Sequence, residues 1–452
     1  MKNLWLLSVP LLSFLLTACG SSESSKTQDY PSAPVSGGMS DGDVWNQELR
    51  VLQQETPKQL NMEWIYKDFG YSEWPSQIFA ERKVGGNQES AAHRFLERLG
   101  QQIYQQSLLA DKSGDTAYAS NAVTLIRRIT DSRLGFINNP KAPLDTNDNR
   151  YLEISWFLSH VTRGARILDT RMGEDWKKAN NWAGVKDALN NWIGWRINQN
   201  WATADALQMS PLNLAAHFGT MNWVGDQDTL YGSTNRSFAM IEALMRVAEF
   251  RDGQVGPMVT AANAWQGKIE HDGSVWQLFQ FFRGYLKYYF HVPLNADKNK
   301  FKLNYKRMSE GLVNANPNVL NIEDCPDPAG FGYQAKCLIN KDAYRNDTYH
   351  AQMGFASILH ILDIAKRWGF DLTPEEHEKI IMGLRWTSFN NTPGVTGSGG
   401  AYDIPLWELA FRLYKAEDLG PYCQRDRDIS RSQDWYKKAG LAWGYSRVAL
   451  GY

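Results

Sequence analysis

Apolar residues recur at three- and four-residue spacing through most of the chain, the period of an α-helix with one buried face. The pattern predicts helices over Glu89 to Gln106, Tyr118 to Thr130, Ile154 to Leu168, Val185 to Ile197 and Ser237 to Phe250. It predicts four more over Tyr349 to Trp368, Pro374 to Trp386, Pro405 to Tyr414 and Asp434 to Leu450. Asp371-Leu372-Thr373-Pro374-Glu375-Glu376 is a helix start, with Thr373 as cap and Pro374 in the first turn. Runs of β-branched alternation are scarce, so the expected fold class is all-α, built of paired helices with short polar joints. Ser113 to Tyr118 reads as one such joint. Four segments break the pattern: Asn138 to Asn149, Pro211 to Thr234, Asn295 to Asp347 and Asn390 to Ala401. Loops of this length within a domain tend to carry function.

The start of the chain is different. Lys2 precedes an apolar run from Leu4 to Leu16, too short to span a bilayer comfortably, which favours a cleaved export signal. The run ends in Leu16-Thr17-Ala18-Cys19-Gly20. This resembles the bacterial lipobox, whose cysteine is lipidated and becomes the new N-terminus. An ordinary secretory signal with an incidental cysteine is the alternative. By resemblance to Gram-negative lipoproteins, Gly20 after the cysteine implies sorting to the outer membrane, facing periplasm or cell surface. Residues 20–43 are rich in Ser, Gly and Pro and read as a flexible tether. The expected organisation is therefore 1–19 signal and lipidated Cys19, 20–43 tether, and 44–452 one helical domain of roughly 400 residues.

Composition narrows the function. The formal net charge is −1 and no long basic run occurs, which argues against nucleic acid as a partner. The chain has 18 Trp, 20 Tyr and 19 Phe, and such rings either fill helix interfaces or stack on the C–H faces of sugars. Of the cysteines other than Cys19, Cys325 and Cys337 bracket a short loop and are expected to pair in an oxidising compartment, leaving Cys423 as a thiol. The two other pairings stay open. No Cys/His spacing resembles a zinc site, and no residue pattern calls for a metal or cofactor.

Two short blocks carry the chemistry. The first is Tyr344-Arg345-Asn346-Asp347-Thr348-Tyr349-His350, a basic-aromatic cluster opening a long apolar helix. The second is Gly232-Ser233-Thr234-Asn235-Arg236-Ser237-Phe238, also at a helix start. Together they resemble the alginate-lyase-like polysaccharide lyases, whose fold is an (α/α) toroid. In that family an Arg precedes a Tyr-His pair that opens a helix, and the Tyr is the catalytic acid/base. The resemblance implies an incomplete helical barrel with long loops forming a groove. It implies Tyr349 as acid/base, Arg345 as its electrostatic partner and His350 beside the substrate. The family's Asn-Asn-His-Ser block maps onto Asn235 and Ser237, but Arg236 stands where the family has His. Arginine stays protonated and is no base, although it can bind or neutralise a carboxylate.

A uronan lyase removes the proton on C5 beside a sugar carboxylate and expels the C4 oxygen. Donors such as Asn and Arg stabilise the developing enolate. A Tyr whose pKa is lowered by Arg takes the proton and returns one to the leaving oxygen. When the two groups lie on opposite sugar faces a second base is needed, and His271 and His217 are the candidates. His271 begins His271-Asp272-Gly273-Ser274-Val275-Trp276-Gln277, similar to a run near the groove of toroidal lyases, so Trp276 and Gln277 are expected to touch sugar. Trp223, in the loop with His217, joins them. Structural roles remain the alternative for each His. His160, His291 and His360 read as core, His93 and His377 as surface positions, and Tyr285, Tyr288 and Tyr289 as core packing.

Two other functions fit the same residues. A glycoside hydrolase needs two carboxylates across a groove, for which Glu153, Asp226, Asp228 and Asp272 are available, though no motif singles out a pair. A non-catalytic glycan-binding lipoprotein would keep the groove and lose the base, as Arg236 suggests. The expected partners are an acidic polysaccharide and, through the lipid, a membrane.

Overall fold

The computed structural model describes residues 41–75, 77–79, 91–132, 134–137, 149–194, 208–209, 235–253, 274–289, 348–390, 406–416, 419 and 423. The helix predicted over Asp434 to Leu450 lies outside them, as do Cys19, Cys325 and Cys337. The described helices are α1 Asp41–Glu55, α2 Met62–Tyr66, α3 Ala91–Ser113, α4 Thr116–Ser132, α5 Asn149–Arg171, α6 Glu174–Ala179 and α7 Trp182–Gly194. They continue with α8 Asn235–Phe250, α9 Val275–Tyr289, α10 Thr348–Arg367, α11 Pro374–Asn390 and α12 Trp407–Tyr414. Helix α1 starts just inside the segment read as tether. Helix α9 escapes the periodicity reading because its aromatics crowd several faces at once: Trp276, Phe279, Phe281 and Phe282.

An all-helical expectation misses one feature. Gln77–Phe79 (β1), Gly135–Ile137 (β2) and Gln208–Met209 (β3) form a small sheet in the order β1-β2-β3. Ile78 pairs with Phe136 in a parallel ladder, and Phe136 with Met209 in an antiparallel one. Strands of two or three residues are too short to show alternation in a sequence.

Local chemistry explains the helix ends. Gly114, at φ +71°, turns the chain between α3 and α4, a left-handed conformation that glycine adopts without a Cβ penalty. Asp115 Oδ1 then accepts the Ala117 N–H at 3.0 Å and caps α4. At α11, Thr373 Oγ1 accepts the Glu376 N–H at 3.3 Å, while Glu376 Oε2 accepts the Thr373 N–H at 2.8 Å. That reciprocal pair is a capping box at the predicted start.

Packing sorts the helices into two layers. Helices α3, α5, α8 and α10 follow one another side by side as an inner row, and α4, α7, α9 and α11 lie outside it. Contact sites show that the inner helices run parallel. A Cβ on Gly100 would meet Phe157 and His160, and one on Gly164 would meet Ile103 and Ser107, so residue numbers rise together along α3 and α5. Arg166 Nη1 donates to Glu249 O at 2.5 Å, while His160 feels the charge of Glu242 one turn to two turns earlier, giving the same sense for α5 and α8. Glu242 meets His360 and Glu249 meets Arg367, both 118 positions apart, so α8 and α10 are also parallel. Parallel inner helices with outer partners are the expected (α/α) arrangement.

The core follows the inner row. Residues Phe238 to Phe250 of α8 are buried all round, and Leu99, Ile103, Leu158, Val161, Ile358, Leu359 and Ile361 are at most 1 % exposed. Trp74, Trp182, Trp192 and Trp407 are buried at helix interfaces. Cys423 is a buried thiol rather than half of a disulfide.

Candidate functional site

The two blocks that carry the chemistry open α8 and α10. Asn235, Arg236 and Ser237 form the first turn of α8; Thr348, Tyr349 and His350 form the first turn of α10. Because the helices are parallel at an offset of 118, Asn235 lies level with Met353. Tyr349 is then displaced from the level of Asn235 by about 6 Å along the axis, at about 1.5 Å per residue. Two segments more than a hundred residues apart thus arrive at one end of one helix pair. The starts of α3 and α5 lie at that same end, since the whole inner row is parallel. Helix N-termini carry partial positive charge, and four of them at one end favour an anion there.

Arg345, His217, Trp223 and His271 lie outside the described residues, as do Asp226, Asp228 and Asp272 among the hydrolase candidates. Trp276 and Gln277 are described. Val275 N–H donates to Gly253 O at 3.1 Å just beyond the end of α8. Trp276 lies against Phe370, with ring centroids 5.1 Å apart, just beyond the end of α10. Gly253 packs on the Trp368 ring, where a Cβ would come within 2.8 Å. Trp276 and Gln277 therefore sit at the C-terminal end of the inner row. The length of α10 from Tyr349 to Arg367 separates them from the Tyr349 end by roughly 27 Å. They stand at the opposite end of the inner row from Tyr349, Asn235 and Arg236. Ser274, the described residue nearest to His271 in the chain, lies at this far end too, where its Oγ accepts the Gln277 N–H at 3.2 Å.

Trp276 is 51 % exposed, the one large apolar side chain so exposed among the described residues. Close by, His377 Nε2 lies 2.7 Å from Asp371 Oδ1 and its Nδ1 lies 3.2 Å from the Tyr414 hydroxyl. Asp371, His377 and Tyr414 form a hydrogen-bonded relay. Burial, and then the Asp371 charge, push the Tyr414 phenol above its usual range, so it stays protonated. The relay ties the loop after α10 to α11 and α12.

Between the two ends runs a buried band of charge that periodicity did not reveal. On α8, Glu242, Arg246 and Glu249 form one stripe, and none is more than 7 % exposed. His360 Nδ1 lies 2.7 Å from Glu242 Oε1, and Arg246 Nη2 lies 3.5 Å from the same oxygen. Arg367 Nε donates to Glu249 Oε1 at 2.8 Å and also meets Asp363. Arg166 Nε, from α5, lies 3.7 Å from Glu249 Oε1. Tyr104 of α3 closes the row by accepting from Arg163 at 3.0 Å.

The protonation states follow from burial and these neighbours. Burial, with the Arg163 charge beside it, lowers the His160 pKa to about 4. Burial also lowers that of His360. Both rings are therefore neutral near pH 7. Burial pushes the Glu242 carboxyl up, but His360 and Arg246 outweigh it and hold the carboxyl below the usual carboxylate range. With His360 neutral, its share is a hydrogen bond from Nδ1–H rather than a charge. His160 and His360 are core residues, as the sequence implied, but polar ones with defined partners. His377 is half-buried rather than a plain surface position.

No cluster of His, Cys, Asp or Glu able to hold a metal occurs among the described residues. No described helix is long and apolar enough to cross a membrane.

No protein-family profile and no curated protein matches the chain. One solved structure that resembles it is alginate lyase A1-III, as a tyrosine-to-phenylalanine variant complexed with a tetrasaccharide. The TM-score is 0.39 at 11 % identity, over 82 % of this chain and 85 % of that one. A likeness this distant decides neither fold nor activity.

Proposed function

We propose that this protein is a polysaccharide lyase that cleaves a uronate polymer, alginate or a related uronan, by β-elimination at the N-terminal end of α8 and α10. The observation that carries the reading is the shared end: the parallel register sets the Asn235-Arg236 turn and the Tyr349-His350 turn within about one helical turn of each other. The sequence resemblance assigns those same two blocks to one reaction.

In this reading Asn235 and Arg236 neutralise the C5 carboxylate, helped by the positive ends of the inner helices. Arg345 lowers the Tyr349 phenol. Tyr349 takes the C5 proton, the C4–O bond breaks, a C4–C5 double bond forms, and the phenol returns a proton to the departing oxygen. His350 and Trp223 bind the flanking sugars. His217 is the better second base, because the described chain next to His271 lies at the opposite end. The chain is exported and held by lipid on Cys19, with outer-membrane sorting from Gly20.

One residue favours a second reading. Arg236 replaces the histidine of the related lyases, and a toroid without its base is a glycan-binding lipoprotein. Absorbance separates the two. The chain lacking residues 1–20 is mixed with polymannuronate, polyguluronate, glucuronan and a glycosaminoglycan. A rise from the conjugated double bond on one polymer supports the lyase. Binding without any rise supports the binding protein, and new reducing ends without a rise indicate a hydrolase.

A further inference from the structure

The buried band touches no substrate in the proposed reaction. Glu242 lies about 10 Å below Asn235, and His360 about 16 Å below Tyr349, along their helix axes. We propose that the band is a register lock, and that Glu242 and His360 are positioning residues that hold the Tyr349 turn at its height against the Asn235 turn. The catalytic consequence rests on the lyase reading; the structural one rests on geometry alone.

Apolar helix faces repeat every turn, so two parallel helices packed on Leu, Ile and Ala can slide by one turn, about 5.4 Å, into new apolar contacts. The polar stripes forbid both slides. Moving α10 four residues one way sets His360 against Arg246 and Glu249 against Asp363. Moving it the other way sets Glu242 against Ile364 and Arg367 against Met245. Either slide strands buried charges away from their partners, and a buried charge left unpaired is strongly disfavoured. A third element joins the lock, since Arg166 of α5 holds Glu249 as well. A slide would carry Tyr349 past Asn235 by a full turn, and a misplacement of about 1 Å already costs roughly a hundredfold in rate.

Three variants of the full chain test this: His360→Leu, His360→Asn, and the double variant Glu242→Met with His360→Leu. Asn offers a donor where Nδ1–H stood. The double variant removes Glu242 together with its His360 partner and leaves Arg246 paired with Glu249, 3.8 Å away. The lock predicts that His360→Leu lowers kcat by about tenfold or more with KM little changed, and that His360→Asn restores most of it. It predicts a double variant that still folds, a kcat that stays low, and faster amide exchange at Ala239 and Gln352. A double variant with wild-type kcat and wild-type exchange overturns the lock. Should the wild type cut no uronan, the lyase reading fails by itself. Exchange then decides: unchanged protection at Ala239 and Gln352 in the double variant overturns the lock, and lost protection supports it.

Discussion

Glu242 and His360 stand 118 positions apart, and their side chains meet at 2.7 Å in the middle of the inner row. Glu249 and Arg367 repeat the same offset two turns on. This double coincidence fixes the sense and the height of α8 against α10, and with it the meeting of the two motif-bearing turns. Stability and site geometry therefore share the same few residues.

Acid should destabilise the protein. The His160 pKa is about 4 in the fold against 6.5 for the free side chain, so between those values the unfolded chain binds more protons. Stability from this group is complete above pH 6.5 and is lost as pH falls towards 4, on the order of 3 kcal/mol at about 1.4 kcal/mol per unit. Glu242, with its pKa depressed, loses its own contribution at still lower pH. Urea titrations at several pH values measure the slope. A flat profile between pH 6.5 and 4 would show that His160 is not buried neutral.

Glu249 is the most connected carboxylate of the band, facing Arg166, Arg246 and Arg367 while 2 % exposed. Glu249→Gln keeps the shape and removes the charge. Breaking a buried pair from one side costs about 3–5 kcal/mol, so the melting temperature should fall by well over the change seen for an exposed pair. Lys379→Gln, which breaks the exposed pair with Glu375, is the control and should change little.

Gly383 lets α11 approach α10 so closely that an added Cβ would overlap the fully buried Phe355 ring. Alanine favours a helix over glycine by about 1 kcal/mol, so on propensity alone Gly383→Ala should stabilise. The overlap predicts the reverse, a loss of about 1–3 kcal/mol. Companion variant Phe355→Leu should relieve it, and thermal unfolding of the two single variants and the double variant measures the coupling.

Trp276 sits at the end of the inner row opposite Tyr349, so Trp276→Ala should leave kcat and KM unchanged on short oligosaccharides. Steady-state kinetics on a substrate of a few residues checks this. A large loss of kcat would mean that the two ends take part in one site.

Much of the architecture was legible from spacing. Helices with a single apolar face, such as α4 and α5, appear close to their expected bounds, and the Thr373 cap forms as the local sequence dictates. Helix α9 hid behind its surplus of aromatics, and the sheet behind strands too short to alternate. The band of charge hid for a different reason. Glu242 and Arg246, four apart, have the spacing of a pair on any solvent-facing helix, and only tertiary packing buries them. For the site, the two motif turns were visible, but not that they share an end. Trp276 and Gln277 matched a motif whose place in the fold depends on which end of α8 the following loop leaves from, and sequence carries no sign of that.

The central claim is chemistry at Tyr349, and the most direct measurement is ultraviolet absorbance during incubation of the wild type and Tyr349→Phe with the polymer that the wild type binds. The account predicts a steady rise for the wild type, from the C4–C5 double bond, and none for Tyr349→Phe, with polymer binding retained in both. A rise of equal rate in Tyr349→Phe would remove the phenol from the reaction and contradict the account.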